Sequence, residues 1–168
     1  MSSNSHAYVG LGSNLGDRAK NLRLGVSGLK EAGFEVTRVS QIYETEPVET
    51  FAQPQFLNMV AELNLNSLPD PEQVMAQLLQ IELFLGRTRD TLKGPRTIDL
   101  DLLLYGDQSV QTEILTLPHP RLHLRRFVLV PLAELAPLLI HPTLHQTVTE
   151  LLAELDDRAE VRLWPSRK

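Results

Sequence analysis

The chain has 168 residues, 42% hydrophobic and 22% charged, which suits one compact domain with a full core rather than two independent ones. Its formal net charge of −5 argues against broad nucleic-acid binding, although a local group of arginines can still grip a small polyphosphate. The absence of cysteine excludes disulfides, thiolate metal sites and thiol nucleophiles, and fits a reducing cytoplasm. The opening "MSSNSHAYVG" has neither a basic nor an apolar leader region, and Pro131, Glu134 and Pro137 interrupt the most apolar stretch. The expectation is a cytoplasmic protein with no membrane segment and a flexible tip over residues 1–6.

In chain order, "HAYVGLGS" reads as a strand, and "NLGDRAKNLRLGVSGLKEAG" as a helix with Leu22, Val26 and Leu29 on its apolar stripe, stopped by Gly33. "FEVTRVSQIYET" alternates as a strand. After the loop "EPVETFAQPQ", "FLNMVAELNL" alternates again, with Leu57, Met59, Ala61 and Leu63 on one face. "LPDPEQVMAQLLQIELFLG" predicts a helix capped by Asp70, with Pro71 in its first turn and Val74, Leu78, Ile81 and Leu85 along one side. The strand "TIDLDLLLYG" follows. A hairpin over 108–117, helices over 126–136 and 147–155 and a last strand over 160–164 complete the chain. The order strand, helix, strand, strand, helix, strand is that of an α+β, ferredoxin-like βαββαβ core with an antiparallel sheet and additional C-terminal helices.

Chemistry concentrates around residues 87–101. Side chains at i and i+2 of a strand share a face, so Asp99 and Asp101 point one way while Ile98, Leu100, Leu102 and Leu104 point the other. Neighbouring carboxylates repel, and salt bridges to Arg96 and others could satisfy them. The surroundings favour a second reading: Arg87, Arg89, Lys93 and Arg96 lie just upstream, so an anionic metal cradle and a cationic phosphate grip share one neighbourhood. Phosphoryl transfer needs that combination and requires no covalent nucleophile from the protein. Cα atoms two apart in a strand are roughly 6.5 Å apart, and such carboxylates can hold two hard ions about 3.5–4 Å apart. "GLGSNLGDR" is not a phosphate cradle, because it lacks the P-loop lysine and spacing. It reads as a pocket-shaping turn with Ser13 and Asn14 in structural roles.

"GPRTIDLDLLLYG", together with "YVGLGSNLGDR", "YETEPV", "QPQFLNMV" and "LPHPRLHLRRFVLVPLAELAP", resembles the 6-hydroxymethyl-7,8-dihydropterin pyrophosphokinase family of folate biosynthesis, from about Ala7 to Pro137. The resemblance implies transfer of pyrophosphate from ATP to the pterin hydroxymethyl oxygen, with release of AMP. It also implies two Mg²⁺ ions on Asp99 and Asp101, and catalytic roles for Arg87, Arg89 and Arg96. Glu82, His119 and Arg125 join these arginines on the nucleotide side, and Lys93, which departs from the family pattern, could add charge toward the phosphates. Read without the resemblance, Glu82 could be a solvated helix residue and His119 a turn residue. On the pterin side the resemblance assigns Phe56 and Phe127 as the stacking pair, Asn58 to the polar ring edge, and Thr45 and Val48 to the loop beside it. From the residues alone both phenylalanines read as core. Many relatives carry a basic residue and a tryptophan before the signature Gly-Pro-Arg, where this chain has Leu92 and Lys93.

The segment 86–96, with glycines at both ends, cationic side chains and little apolar content, is expected to close as a lid over the triphosphate. The expected partners are ATP and the pterin, with no nucleic acid and no membrane, and the protein is expected to be a monomer. The alternatives are a Mg²⁺-dependent phosphohydrolase or nucleotidyltransferase using the same aspartates, and a ferredoxin-like binding module without catalysis.

Overall fold

The computed structural model describes residues 5–45, 55–86 and 97–165. The elements are β1 (His6–Ser13), α1 (Arg18–Glu31), β2 (Val36–Val39), β3 (Tyr43–Thr45), β4 (Phe56–Asn64), α2 (Pro71–Phe84), β5 (Asp99–Tyr105), β6 (Val110–Gln111), β7 (Thr116–Leu117), α3 (Arg126–Leu135), α4 (Val148–Ala153) and β8 (Val161–Leu163). The main sheet runs β5-β1-β4-β3-β8, with β2 also pairing β4, and β6 and β7 form a separate hairpin. Every pairing in the main sheet is antiparallel, so the expected α+β, ferredoxin-like fold is the one observed. No helix among the described residues is long and apolar enough to cross a membrane.

The helix starts follow local chemistry. The Asp17 carboxylate accepts from the Lys20 amide at 3.1 Å, so α1 begins there rather than at Asn14. Asp70 caps α2 through the Gln73 amide at 3.0 Å, with Pro71 as first residue, and Thr147 and Glu150 form a reciprocal box at the start of α4. A Cβ on Gly28 would stand 2.8 Å from Ile81 Cγ2, so the absent side chain allows α1 and α2 to pack closely.

The sheet is covered on both faces. Leu57, Met59, Ala61 and Leu63 pack with Leu22 and Leu29 of α1 and Val74 and Leu78 of α2. Tyr8, Val60, Leu103 and Leu104 pack with Leu129 and Leu132 of α3 and with Val148 and Leu151 of α4. Every residue of β4 from Leu57 to Leu63 is therefore buried, although the sequence alternation marks only one face.

Three expectations change in detail. The strand expected over "FEVTRVSQIYET" is two strands, broken at Ser40. The Ser40 amide donates to the Val60 carbonyl, and Ser40 Oγ, rather than a backbone carbonyl, accepts from the Val60 amide, both at 2.9 Å. Leu104 does not share a face with Leu100 and Leu102. Tyr8 pairs Leu104 while Val9 pairs Leu102, so Leu103 is an extra residue in β5 and Leu104 turns into the second cluster. At the N-terminus, His6 is already in β1 opposite Asn64, so the tip does not extend to residue 6. Residues 1–4 lie outside the described residues.

One charged group lies inside the sheet. Glu62 is 2% exposed, and its carboxylate accepts from Tyr8 Oη (2.9 Å), Thr37 Oγ1 (2.7 Å), Arg38 Nε (3.0 Å) and Arg38 Nη2 (2.7 Å). Burial alone would push this carboxyl up, but the Arg38, Thr37 and Tyr8 donors and the nearby His6 together hold it down at about 2. Arg38 Nη2 also donates to the Leu135 carbonyl at 2.7 Å, tying the end of α3 to the sheet.

Candidate active site

The antiparallel order brings the end of β1 and the starts of β4 and β5 to one edge of the sheet. Gly12 pairs Asn58 of β4 on one side and Asp99 of β5 on the other, and Gly10 pairs Asp101. Directly paired residues project to the same face, so Asn58, Asp99 and Asp101 share a face across a central strand that places only glycines between them. Neighbouring strands are about 4.8 Å apart, so roughly 10 Å separates the Asn58 and Asp99 backbones. A Cβ on Gly12 would stand 2.8 Å from Asn58 Oδ1 and 3.6 Å from Phe56 Cδ1, so this floor must stay bare. The turn shapes the pocket, as expected, and the strand register adds that its glycines form the floor. Ser13 and Asn14 are fully buried, and Ser13 Oγ accepts from Asn21 Nδ2 at 3.2 Å, in keeping with their structural roles.

On the β5 side, a cleft of about 390 Å³ lies between α2, β5 and the β6–β7 hairpin. Glu82, Asp99, Asp101 and His119 all line it. Asp101 is exposed and Asp99 half-buried, while Leu100 between them is buried, so alternation orients the pair as expected. Glu82 is not on a solvated helix face: it is 4% exposed, and its Oε2 accepts from the Leu100 amide at 2.6 Å. This bond pins the end of α2 to the main chain between the two aspartates. Met75 and Leu79 of α2 and Thr112 to Thr116 of the hairpin also wall the cleft. Nothing in the hairpin's composition marked it as a wall, because the contribution comes from position rather than chemistry.

The His119 amide donates to the Leu103 carbonyl at 2.9 Å and its Nδ1 accepts from the Arg121 amide at 3.1 Å. Burial, then the charges of Arg125 and Arg121, pushes the imidazole down to about 4. His119 is therefore neutral at pH 7. With Nδ1 occupied as an acceptor, Nε2 carries the proton and serves as a donor.

On the β4 side, Asn58 is 8% exposed and its Nδ2 donates to Thr45 Oγ1 at 2.7 Å. Phe56 and Phe127 are each half-buried rather than fully enclosed, and Phe127 also packs against the second core cluster, as the core reading of its type suggests. The Arg125 guanidinium carbon lies 5.4 Å from the Phe127 ring centroid, which places a nucleotide-side candidate over a pterin-side one. Val48, Arg87, Arg89, Lys93 and Arg96, with all but Gly86 of the expected lid, lie outside the described residues.

Two carboxylates, a neutral imidazole donor and an arginine around a bare sheet face make a small α+β protein suited to phosphoryl transfer. Residues 8–137 match the family model described as 7,8-dihydro-6-hydroxymethylpterin-pyrophosphokinase. The chain is 43% identical over 165 residues to the 2-amino-4-hydroxy-6-hydroxymethyldihydropteridine pyrophosphokinase of Bacillus subtilis, covering 98% of this chain and 93% of that protein. It is 36% identical to the protein of the same name from Haemophilus influenzae, covering 95% and 98% respectively. The Folic acid synthesis protein fol1 of Schizosaccharomyces pombe is 42% identical over 97% of this chain, which spans only 22% of that longer protein. Among solved structures, wild-type Plasmodium falciparum HPPK-DHPS matches with a TM-score of 0.71 at 15% identity, over 91% of this chain and 44% of that one, a likeness of fold. The chain belongs to the 7,8-dihydro-6-hydroxymethylpterin-pyrophosphokinase family.

Proposed function

We propose that this protein transfers a pyrophosphoryl group from ATP to the hydroxymethyl oxygen of 6-hydroxymethyl-7,8-dihydropterin, a step of folate biosynthesis. The carrying observation is the glycine floor, with Asp99 and Asp101 on one side and the Asn58–Thr45 pair on the other. A flat pterin on the β4 side and a triphosphate on the β5 side then meet over Gly12.

The pterin oxygen attacks the β-phosphorus, the bridging bond to the α-phosphate breaks, AMP leaves with that oxygen, and the hydroxyl proton is released. Asn58 reads the ring's polar edge, with its amide oriented by Thr45, and Phe56 and Phe127 hold the ring's faces. Thr45 and Val48 border the ring. His119 donates through its neutral imidazole to the nucleotide, and Glu82 fixes the β5 main chain that carries both aspartates. Arg125, Arg87, Arg89, Lys93 and Arg96 hold phosphate oxygens, positioning the chain for in-line attack.

Asp99 and Asp101 would hold two Mg²⁺ ions. The donor set fits, because two hard carboxylates share one face and only Gly10 and Gly12 stand opposite them. Bound Mg²⁺ neutralises phosphate charge and favours the developing negative charge on the bridging oxygen. The protein acts as a monomeric cytoplasmic enzyme on small molecules, without nucleic-acid or membrane partners, from a single domain. Its acidic balance and lack of cysteine support this reading.

The test is incubation with ATP, Mg²⁺ and the reduced pterin, followed by chromatography of every product. AMP and the pterin diphosphate should form in equal amounts and only when all three are present. Inorganic phosphate or pyrophosphate as the product would instead favour a hydrolase or nucleotidyltransferase.

A further inference from the structure

The last strand, β8, lies beyond residue 137, where the family match ends, yet it reaches the β4 side of the site. It pairs β3 in the register Tyr43 with Leu163, Glu44 with Arg162 and Thr45 with Val161. Arg162 Nη2 donates to Glu44 Oε1 at 3.2 Å and to Gln55 Oε1 at 2.8 Å, and its Nη1 lies 3.0 Å from Glu160 Oε1. On the other side of the same carboxylate, Arg18 Nη1 donates to Glu44 Oε2 at 2.9 Å and to the Gln55 carbonyl at 2.7 Å. Two guanidinium groups thus fasten Glu44 to Gln55. These are the immediate neighbours of Thr45 and Phe56, which pair across β3 and β4.

We propose that Arg162 is a positioning residue for the pterin. By bridging Glu44 and Gln55 it fixes Thr45 Oγ1, which orients the Asn58 amide at 2.7 Å, relative to the Phe56 ring. The side chain of Arg162 engages Glu44, Gln55 and Glu160, so its proposed action on the pterin is indirect. Its planar fork can hold two acceptors at once, which a lysine ammonium does with far less directional control. The inference rests on the assignment of Thr45, Phe56 and Asn58 to the pterin, so its test includes a variant of that assignment. The fold does not depend on Arg162, because β8 keeps its main-chain pairing and Arg18 still holds Glu44 and the Gln55 carbonyl.

The experiment is steady-state kinetics of Arg162→Met, Arg162→Lys, Glu44→Gln and Asn58→Ala, with a thermal melt of each. Arg162→Met should raise KM for the pterin about fivefold or more, with KM for ATP and kcat within about twofold of wild type. Arg162→Lys should recover part of the loss, and Arg162→Met combined with Glu44→Gln should be no worse than the larger single effect, as for one shared unit. If both KM values rise together, or the pterin KM stays unchanged while Asn58→Ala raises it, the role of Arg162 is overturned and the pterin assignment stands. If Asn58→Ala leaves the pterin KM unchanged, both fall.

Discussion

A single methyl group at Gly12 should weaken pterin binding without disturbing the nucleotide. The added Cβ would stand 2.8 Å from Asn58 Oδ1, well inside an ordinary C···O contact of about 3.3 Å, so about 0.5 Å must be found. Gly12 is not among the glycines with positive φ, so alanine fits its backbone and the displacement falls on Asn58. That side chain is short, buried and held by Thr45 at 2.7 Å, so moving it weakens this hydrogen bond and misaligns the amide for the ring. With about 1 kcal/mol for each of the two neutral hydrogen bonds that the Asn58 amide can make to the ring edge, the loss is about 2 kcal/mol, or roughly 30-fold in Kd. Isothermal titration with the pterin, in the presence of Mg²⁺ and a non-hydrolysable ATP analogue, measures it. Titration with the analogue alone should match wild type. Because the clash acts through Asn58, Gly12→Ala added to Asn58→Ala should cost nothing further. Wild-type pterin affinity in Gly12→Ala, or an undiminished extra loss in the double variant, would refute the glycine-floor argument.

Asp99→Ala or Asp101→Ala should each abolish more than nine-tenths of turnover at saturating Mg²⁺, more than about 1.4 kcal/mol of barrier, while the melting temperature holds. Retained turnover would remove the metal assignment. Phe56→Ala and Phe127→Ala should each weaken pterin binding by about 1–3 kcal/mol with nucleotide binding largely kept, and equal losses for both ligands would return them to a packing role. Glu62 stabilises the fold at neutral pH: its carboxyl is lowered from 4.5 to about 2 in the folded state, so its contribution is whole above about 4.5 and is lost as pH falls through about 2. The shift corresponds to about 3 kcal/mol, reduced to roughly 2 kcal/mol by screening at the half-exposed Arg38, and urea titrations from pH 7 to pH 2 should show wild type losing that much more stability than Glu62→Gln. Parallel pH dependences would contradict it.

Much of the fold is legible because hydrophobic period and caps agree: Asp70 and Pro71 announce α2, and the alternation from Leu57 to Leu63 announces β4. Long-range consequences are not legible. Alternation marks Leu57, Met59, Ala61 and Leu63 as inward, but burial of Val60 depends on α3, which arrives some seventy residues later. The extra residue at Leu103 breaks a period that gives no local sign of breaking, since every candidate there is leucine. In the site, the i, i+2 spacing suffices to orient Asp99 and Asp101. Phe56 and Phe127 depend on the resemblance, because an aromatic side chain has the same local pattern whether it faces the core or an open pocket. Gly10 and Gly12 acquire meaning only through register, which sets them opposite Asp101 and Asp99. Arg162 gives no signal at all until β8 is placed beside β3.

In the proposed reaction the bond broken in ATP lies between the α- and β-phosphates, and the pterin receives both outer phosphates. Single-turnover reactions with ATP labelled separately at the α- and β-phosphorus, in the presence of Mg²⁺ and 6-hydroxymethyl-7,8-dihydropterin, test it directly. All α-label should appear in AMP and all β-label in the pterin product. Label released as inorganic phosphate or pyrophosphate, α-label on the pterin, or ADP as the nucleotide product would contradict it.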